Sequence, residues 1–167
     1  MIAPRTHCRR APAAMILFAA VLALFSGLSA SRADTPEACD PAAPETIQVT
    51  VEKVRSSKGL ITAVLYNDNP ETFLKEGARL DRIRVEAQAG ETTLCLTAPA
   101  AGRFSVALYH DENGNKKFDR DFLGIPSEGY GFSQNPGFRF GKPDVEETLF
   151  TLDGEPVSLK IGMLYLH

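Results

Sequence analysis

The sequence predicts an all-β protein: an antiparallel β-sandwich of about seven strands, immunoglobulin-like or prealbumin-like, with one short helix and a long aromatic- and glycine-rich loop. Three observations lead there. Apolar and polar residues alternate with a period of two in one segment after another. Clusters of Gly, Pro, Asn and Asp separate those segments at short intervals. Downstream of Leu28 almost nothing carries helical periodicity. Half-buried strands joined by tight turns have this pattern, and sandwiches are built from them.

The N-terminus stands apart from that domain. Met1–Ala14 carries Arg5, Arg9 and Arg10 and no acid, Met15–Leu28 is apolar apart from small residues, and Ser31-Arg32-Ala33 places small side chains ahead of Asp34. A basic start, a short apolar core and a small-x-small site make a secretory signal peptide over 1–33. The apolar run is shorter than the roughly 20 residues of a spanning helix, so no stable membrane insertion is expected once the leader is removed. Arg9-Arg10 lacks the surroundings of a twin-arginine signal, and no Cys stands at the cut site to carry a lipid. The expected location is the periplasm or the medium.

Loss of the leader changes the charge. Of 18 basic residues, Arg5, Arg9, Arg10 and Arg32 leave, so 14 face all 21 acids. An acidic protein is a poor partner for nucleic acid or anionic lipid. Cys8 leaves too, and Cys39 and Cys95 remain. In an oxidising compartment they form a disulfide or stay as two thiols that never meet. Closure of that loop would stabilise by about 4 kcal/mol on a chain-entropy account. Cys95 lies between Leu94 and Leu96, so it faces outward if the leucines face the core.

Residues 34–46 (DTPEACDPAAPE and Thr46) have no periodicity and read as a flexible tether to a single domain over 47–167. Ile47, Val49 and Val51 alternate with polar residues and predict the first strand. Leu60–Tyr66 is almost continuously apolar, as for a central strand covered on both faces. Asn69-Pro70-Glu71 opens ETFLKEG, and Gly77 closes it: helix start and stop signals for one or two turns. Strands follow over Arg82–Gln88, Thr92–Thr97 and Arg103–His110. In the last of these Phe104, Val106 and Leu108 share one face, while Ser105, Ala107 and Tyr109 share the other. Gly129–Ser133 and Thr148–Leu152 are weaker candidates. Val157–Leu166 alternates through Val157, Leu159, Ile161, Met163 and Tyr165.

Between His110 and Asn135 runs HDENGNKKFDRDFLGIPSEGYGFSQN. Counting Asp111 as position 1, oxygen-bearing side chains fall at 1 (Asp111), 3 (Asn113), 5 (Asn115) and 9 (Asp119), with the Lys117 backbone carbonyl available at 7. Hard cations take six to eight oxygens, and a tight loop with donors at alternate positions wraps them round one centre. Ca²⁺ is the cation expected. The match to the helix–loop–helix calcium template is partial. Lys116 stands where that template has Gly, and Phe122 where it has a bidentate Glu, leaving Asp121 as the nearest acid. The alternative is a polar turn, since Asp, Asn and Gly are the residues turns use.

Aromatics gather just downstream. Tyr130, Phe132, Phe138 and Phe140 stand among Gly129, Gly131, Gly137 and Gly141. They form either a ligand platform or a satellite core pinning a long connection; burial is the commoner fate of aromatics.

The run from Ala107 to about Phe150, with EGYGFSQN and FGKPDVEETLF at its heart, resembles the bacterial family catalogued as domain of unknown function 2141 (DUF2141). The resemblance implies an exported protein of Gram-negative bacteria with no established activity. The stretch LTAPAAGRFSVALYHDENGN is also similar to prealbumin-like and surface-protein B-type sandwich domains, some of which bind calcium in a comparable loop.

No nucleophile elbow, zinc-protease helix, phosphate loop or dinucleotide fingerprint occurs. Pairs such as Glu128 with Asp144 are available in any acidic chain. The expectation is a non-catalytic exported module that binds an unknown protein or envelope component. A metal-dependent envelope hydrolase and a metal-free structural module are the alternatives.

Overall fold

The computed structural model describes Asp40, residues 43–139 and residues 141–166. The expected leader, Cys39, most of the tether, Phe140 and His167 lie outside the described residues. Among the described residues, eight strands form two sheets: β1 (Thr46–Val54), β2 (Leu60–Asn67), β3 (Asp81–Glu86), β4 (Gly90–Thr97), β5 (Gly102–Asp111), β6 (Gly129–Phe132), β7 (Phe150–Leu152) and β8 (Val157–Gly162). The smaller sheet has the order β4-β1-β8. The larger runs β3-β2-β5-β6, with β7 also pairing β5.

The strand patterns read from the sequence set the faces. Ile47, Val49 and Val51 of β1, Leu94 and Leu96 of β4 and Ile161 of β8 meet Ile61, Ala63 and Leu65 of β2 and Phe104, Val106 and Leu108 of β5 in one core. Every residue from Ile61 to Tyr66 is buried, as expected of a central strand. The outward face of β2 packs in a second cluster of Val64, Tyr66, Phe73 and Val145. Leu94 and Leu96 are buried while Cys95 between them is only half so, which sets its side chain on the outer face opposite Gln48.

Two features differ from expectation. The ladders are antiparallel except one, since β8 runs parallel to β1, from Ile47 opposite Val157 to Glu52 opposite Gly162. The chain then leaves that sheet, and Leu164 exchanges two backbone hydrogen bonds with Tyr130 of β6, at 2.8 and 3.0 Å, lacing the two sheets together. The second difference is the helix over 71–77. Asn69 does cap a turn, its Oδ1 accepting from Glu71 N–H at 2.9 Å. The turn nevertheless stops at Leu74, whose φ is +65°, and only a 3₁₀ turn at Glu76–Ala78 follows. Phe73 is the cause: it is buried against Tyr66 and Phe132, with ring centroids 5.6 and 6.2 Å away, and that anchor outweighs helix propagation.

The glycines of EGYGF have a packing reason. A Cβ on Gly129 would lie 2.2 Å from the Tyr165 ring, and one on Gly131 would lie 2.9 Å from Ile161. The Tyr165 ring cannot easily yield. Its hydroxyl accepts from Arg55 N–H at 3.1 Å and bonds His110 Nδ1 at 2.8 Å. Gly129→Ala is therefore expected to destabilise by about 1–3 kcal/mol through overpacking. Gly137→Ala, where a Cβ meets nothing within 4 Å, should stay within about 0.5 kcal/mol. Urea unfolding midpoints of the two variants check the contrast.

Candidate functional site

β5 ends at Asp111, whose side chain is fully buried. A carboxylate in that position needs donors, and the loop supplies them: Asn115 N–H donates to Oδ1 at 3.0 Å and Lys116 N–H to Oδ2 at 2.6 Å. Asn113 Oδ1 accepts from Asn115 N–H at 2.9 Å, and Asn115 Oδ1 accepts from Lys117 N–H at 2.8 Å. These side-chain-to-backbone bonds wind the loop into a tight coil. Lys116 adopts φ +64° within it, a left-handed conformation that costs a side-chain-bearing residue about 1 kcal/mol and suits glycine.

The predicted donors converge in part. Asn113 Nδ2 and Asn115 Nδ2 both donate to Asp119 Oδ2, at 2.8 and 2.7 Å. Three of the side chains picked out by spacing, Asn113, Asn115 and Asp119, are thus bonded together at the tip of β5, and Asp111 joins them through the backbone N–H of Asn115. Asp121 does not join it through its Oδ1, which accepts from Leu123 and Ile125 N–H, both at 2.9 Å, and caps its own turn. Phe118 turns away from the cluster and packs on Tyr109 and Tyr130, outside the inter-sheet core, with centroids 5.5 and 6.2 Å away.

A further carboxylate, one that spacing could not point to, faces the cluster. Glu128 enters β6 from the far end of the connection. It is 5% exposed, and its Oε2 accepts from Asp119 N–H at 3.2 Å. Its Oε1 is buried and has no hydrogen-bond partner. Burial pushes the Glu128 carboxyl up to about 7; the Asp119 N–H opposes that, and the negative charges of Asp111, Asp119 and Glu112 reinforce it. The neighbouring Glu112 goes the other way, held down at about 2 chiefly by Arg55 and helped by Ser56 Oγ at 2.8 Å. Arg55 also lies over the Tyr165 ring, 4.5 Å from its centroid.

His110 is committed elsewhere. The Lys58 carbonyl, 2.7 Å from Nε2, can only accept, so Nε2 carries a proton and Nδ1 faces the Tyr165 hydroxyl. Among the described residues, no three His, Cys, Asp or Glu side chains gather into a metal centre by themselves. Any cation at this loop would have to take part of its shell from amide and backbone oxygens.

On the other side of β6 lies a groove. Tyr130 and Phe132 are half-buried in a run of touching rings, Tyr109–Phe118–Tyr130–Phe132–Phe73–Tyr66, and Phe138 is 53% exposed at the rim. The aromatic stretch thus both pins the connection and leaves a lined cavity of about 630 Å³.

A sequence profile of uncharacterized proteins conserved in bacteria, DUF2141, matches residues 49–160. The chain belongs to the DUF2141 family. The matched span takes in β2 to β7 whole and most of β1 and β8, so the family unit is the sandwich itself together with the loop and EGYGF strand. No curated protein and no solved structure was found to match the chain.

The raised Glu128 carboxyl makes a pH prediction for the protein in chelator. Below about pH 4.5 the folded and unfolded states both hold the proton. Between there and about 7 only the folded state keeps it, so stability falls as pH rises, and the loss is complete above 7. Glu128→Gln should flatten this part of the profile and be the more stable protein above pH 7, as read from urea midpoints across that range.

Proposed function

We propose that this DUF2141 protein is an exported, non-catalytic binding or structural module whose 111–119 loop, together with Glu128, holds Ca²⁺. The observation that carries the reading is the Glu128 carboxylate: buried, one oxygen unpartnered, and set against Asp119 and Asp111. Buried like charges repel and need a counter-charge. Two amide N–H groups cover Asp119 Oδ2, doing weakly what a cation would do fully. Each Asn carbonyl oxygen still has a second lone pair. Asp111, Asn113, Asn115, Asp119, Glu128 and the Lys117 carbonyl would then make an all-oxygen shell, the kind hard cations prefer to Zn²⁺. Asp121 is not included.

Export rests on the 1–33 leader and the oxidising-compartment pattern of Cys39 with Cys95. The outer-face position of Cys95 on β4 leaves it within reach of the segment ahead of β1. The non-catalytic reading rests on His110 being held by Lys58 and Tyr165, and on the absence of a recognisable catalytic motif. The partner proposed is an envelope component or another protein.

Thermal unfolding of the purified protein tests the cation. Millimolar Ca²⁺ should stabilise by about 1–3 kcal/mol relative to chelator, as expected at roughly ten to a hundred times the dissociation constant. Mg²⁺ should do much less, and Asp119→Asn and Glu128→Gln should abolish the shift. Superimposable melting curves in Ca²⁺ and chelator for the unaltered protein would end the proposal. For the cysteines, non-reducing peptide mapping of exported protein should recover Cys39 and Cys95 in one cross-linked fragment; two free thiols would refute the pairing.

A further inference from the structure

The groove on the outer face of the larger sheet has a composition that neither the family nor the cation loop explains. Its floor is the alternate set of the sheet: Val64 and Tyr66 of β2, Ala107 and Tyr109 of β5, Tyr130 and Phe132 of β6. Its walls come from Phe118, Arg120, residues 123–126, Phe138, Arg139, Gly141 and Lys142. Among the described residues, four basic side chains line it, Arg79, Arg120, Arg139 and Lys142, with no carboxylate and no Ser, Thr, Asn or Gln. This occurs in a chain where acids outnumber bases by 21 to 18. Among the described residues, Arg79 and Arg139 have the carboxylates of Glu76 and Glu147 as partners, whereas Arg120 and Lys142 form no ion pair. Arg120 is held over the Phe118 ring, 4.9 Å from its centroid, and spends one N–H on the Gly124 carbonyl at 3.0 Å. Lys142 stands 5.9 Å from the Phe73 centroid. At the mouth, Leu123 is 68% and Phe138 53% exposed, and Phe122 beside Leu123 is 95% exposed.

We infer that this groove binds an amphiphilic anion: an apolar chain or ring system that lies on the aromatic floor, with one carboxylate or phosphate taken by Arg120 and Lys142. The volume lies within the range of small-molecule sites. The chemistry of the lining weighs against the nearest alternative. A neutral sugar also stacks on aromatic rings, but it needs acceptors as well as donors, and among the described lining residues the only side-chain acceptors are the tyrosine hydroxyls. Arg and Lys are donors only, so the lining asks for an acceptor with negative charge. The inference is independent of whether the 111–119 loop holds a cation.

The test is a titration of the purified protein with decanoate, decanol and decyltrimethylammonium below their micellar concentrations, followed by calorimetry. Decanoate should bind at least tenfold more tightly than decanol and far more tightly than the cation, and lengthening the acid should strengthen binding by up to about fourfold per methylene. Arg120→Gln with Lys142→Gln should weaken decanoate at least tenfold and leave decanol unchanged. Ala107→Phe, which fills the floor, should weaken both. Equal affinity for the three head groups overturns the inference, and that comparison decides the matter on the unaltered protein even if a variant fails to fold. Sedimentation with phosphatidylglycerol vesicles, without binding of monomeric decanoate, would also overturn it and make the patch a membrane contact.

Discussion

The buried carboxylate of Asp111 is the constraint from which the functional end of the molecule is built. It terminates the central strand β5 and is paired across the sheet with Leu60. A charge with no solvent exposure is tolerable only if donors reach it, and the available donors are the backbone N–H groups of Asn115 and Lys116. Meeting that demand bends the chain back within five residues and forces Lys116 to a positive φ. It also carries Asn113 and Asn115 round to Asp119. Gly59 belongs to the same constraint: a Cβ there would lie 1.9 Å from the Asp111 carbonyl oxygen, so the turn before β2 has to be bare where β5 ends.

The short strand β6 and its flanking residues show how few residues can serve four environments. A strand sends successive side chains to opposite faces. Gly129 and Gly131 therefore turn towards the core side, where Tyr165 and Ile161 leave no room for a Cβ. Tyr130 and Phe132 turn outward to the groove. Glu128, one residue ahead of the strand, reaches the acidic cluster. Ser133, one residue behind, is buried, accepts from Val106 N–H at 2.9 Å and donates to the Thr148 carbonyl. The EGYGFS motif thus joins a charged site, a packing contact, an aromatic floor and a strand end in six consecutive residues.

Much of the fold was legible because period-two patterning reports faces directly. The two faces of β5, the double burial of β2 and the inward set of β8 all follow from it. Patterning says nothing about which strands become neighbours, so the parallel pairing of β1 with β8 was invisible. Helix signals at Asn69-Pro70 were real as a cap and misleading as to length, because the tertiary anchor at Phe73 was decided by residues far away in the chain. In the loop, alternate spacing identified the members that coil locally. Spacing alone does not separate Asp121, whose Oδ1 bonds its own turn, from the coil, and it does not point to Glu128, which arrives from beyond that turn. The basic lining of the groove was illegible for the same reason: Arg79, Arg120, Arg139 and Lys142 come from separate segments that only the folded sheet collects.

The cluster and the groove are physically one piece of backbone. Asp119 is held from three directions, by the amides of Asn113 and Asn115 on its side chain and by Glu128 on its N–H. Its sequence neighbours on either side, Phe118 and Arg120, are wall residues of the groove. The same wall explains why the apolar connection does not collapse into the groove: Phe118 is fixed between Tyr109 and Tyr130. Asp121 holds the next turn by its own bonds to Leu123 and Ile125, and this keeps Leu123 at the mouth instead of on the floor.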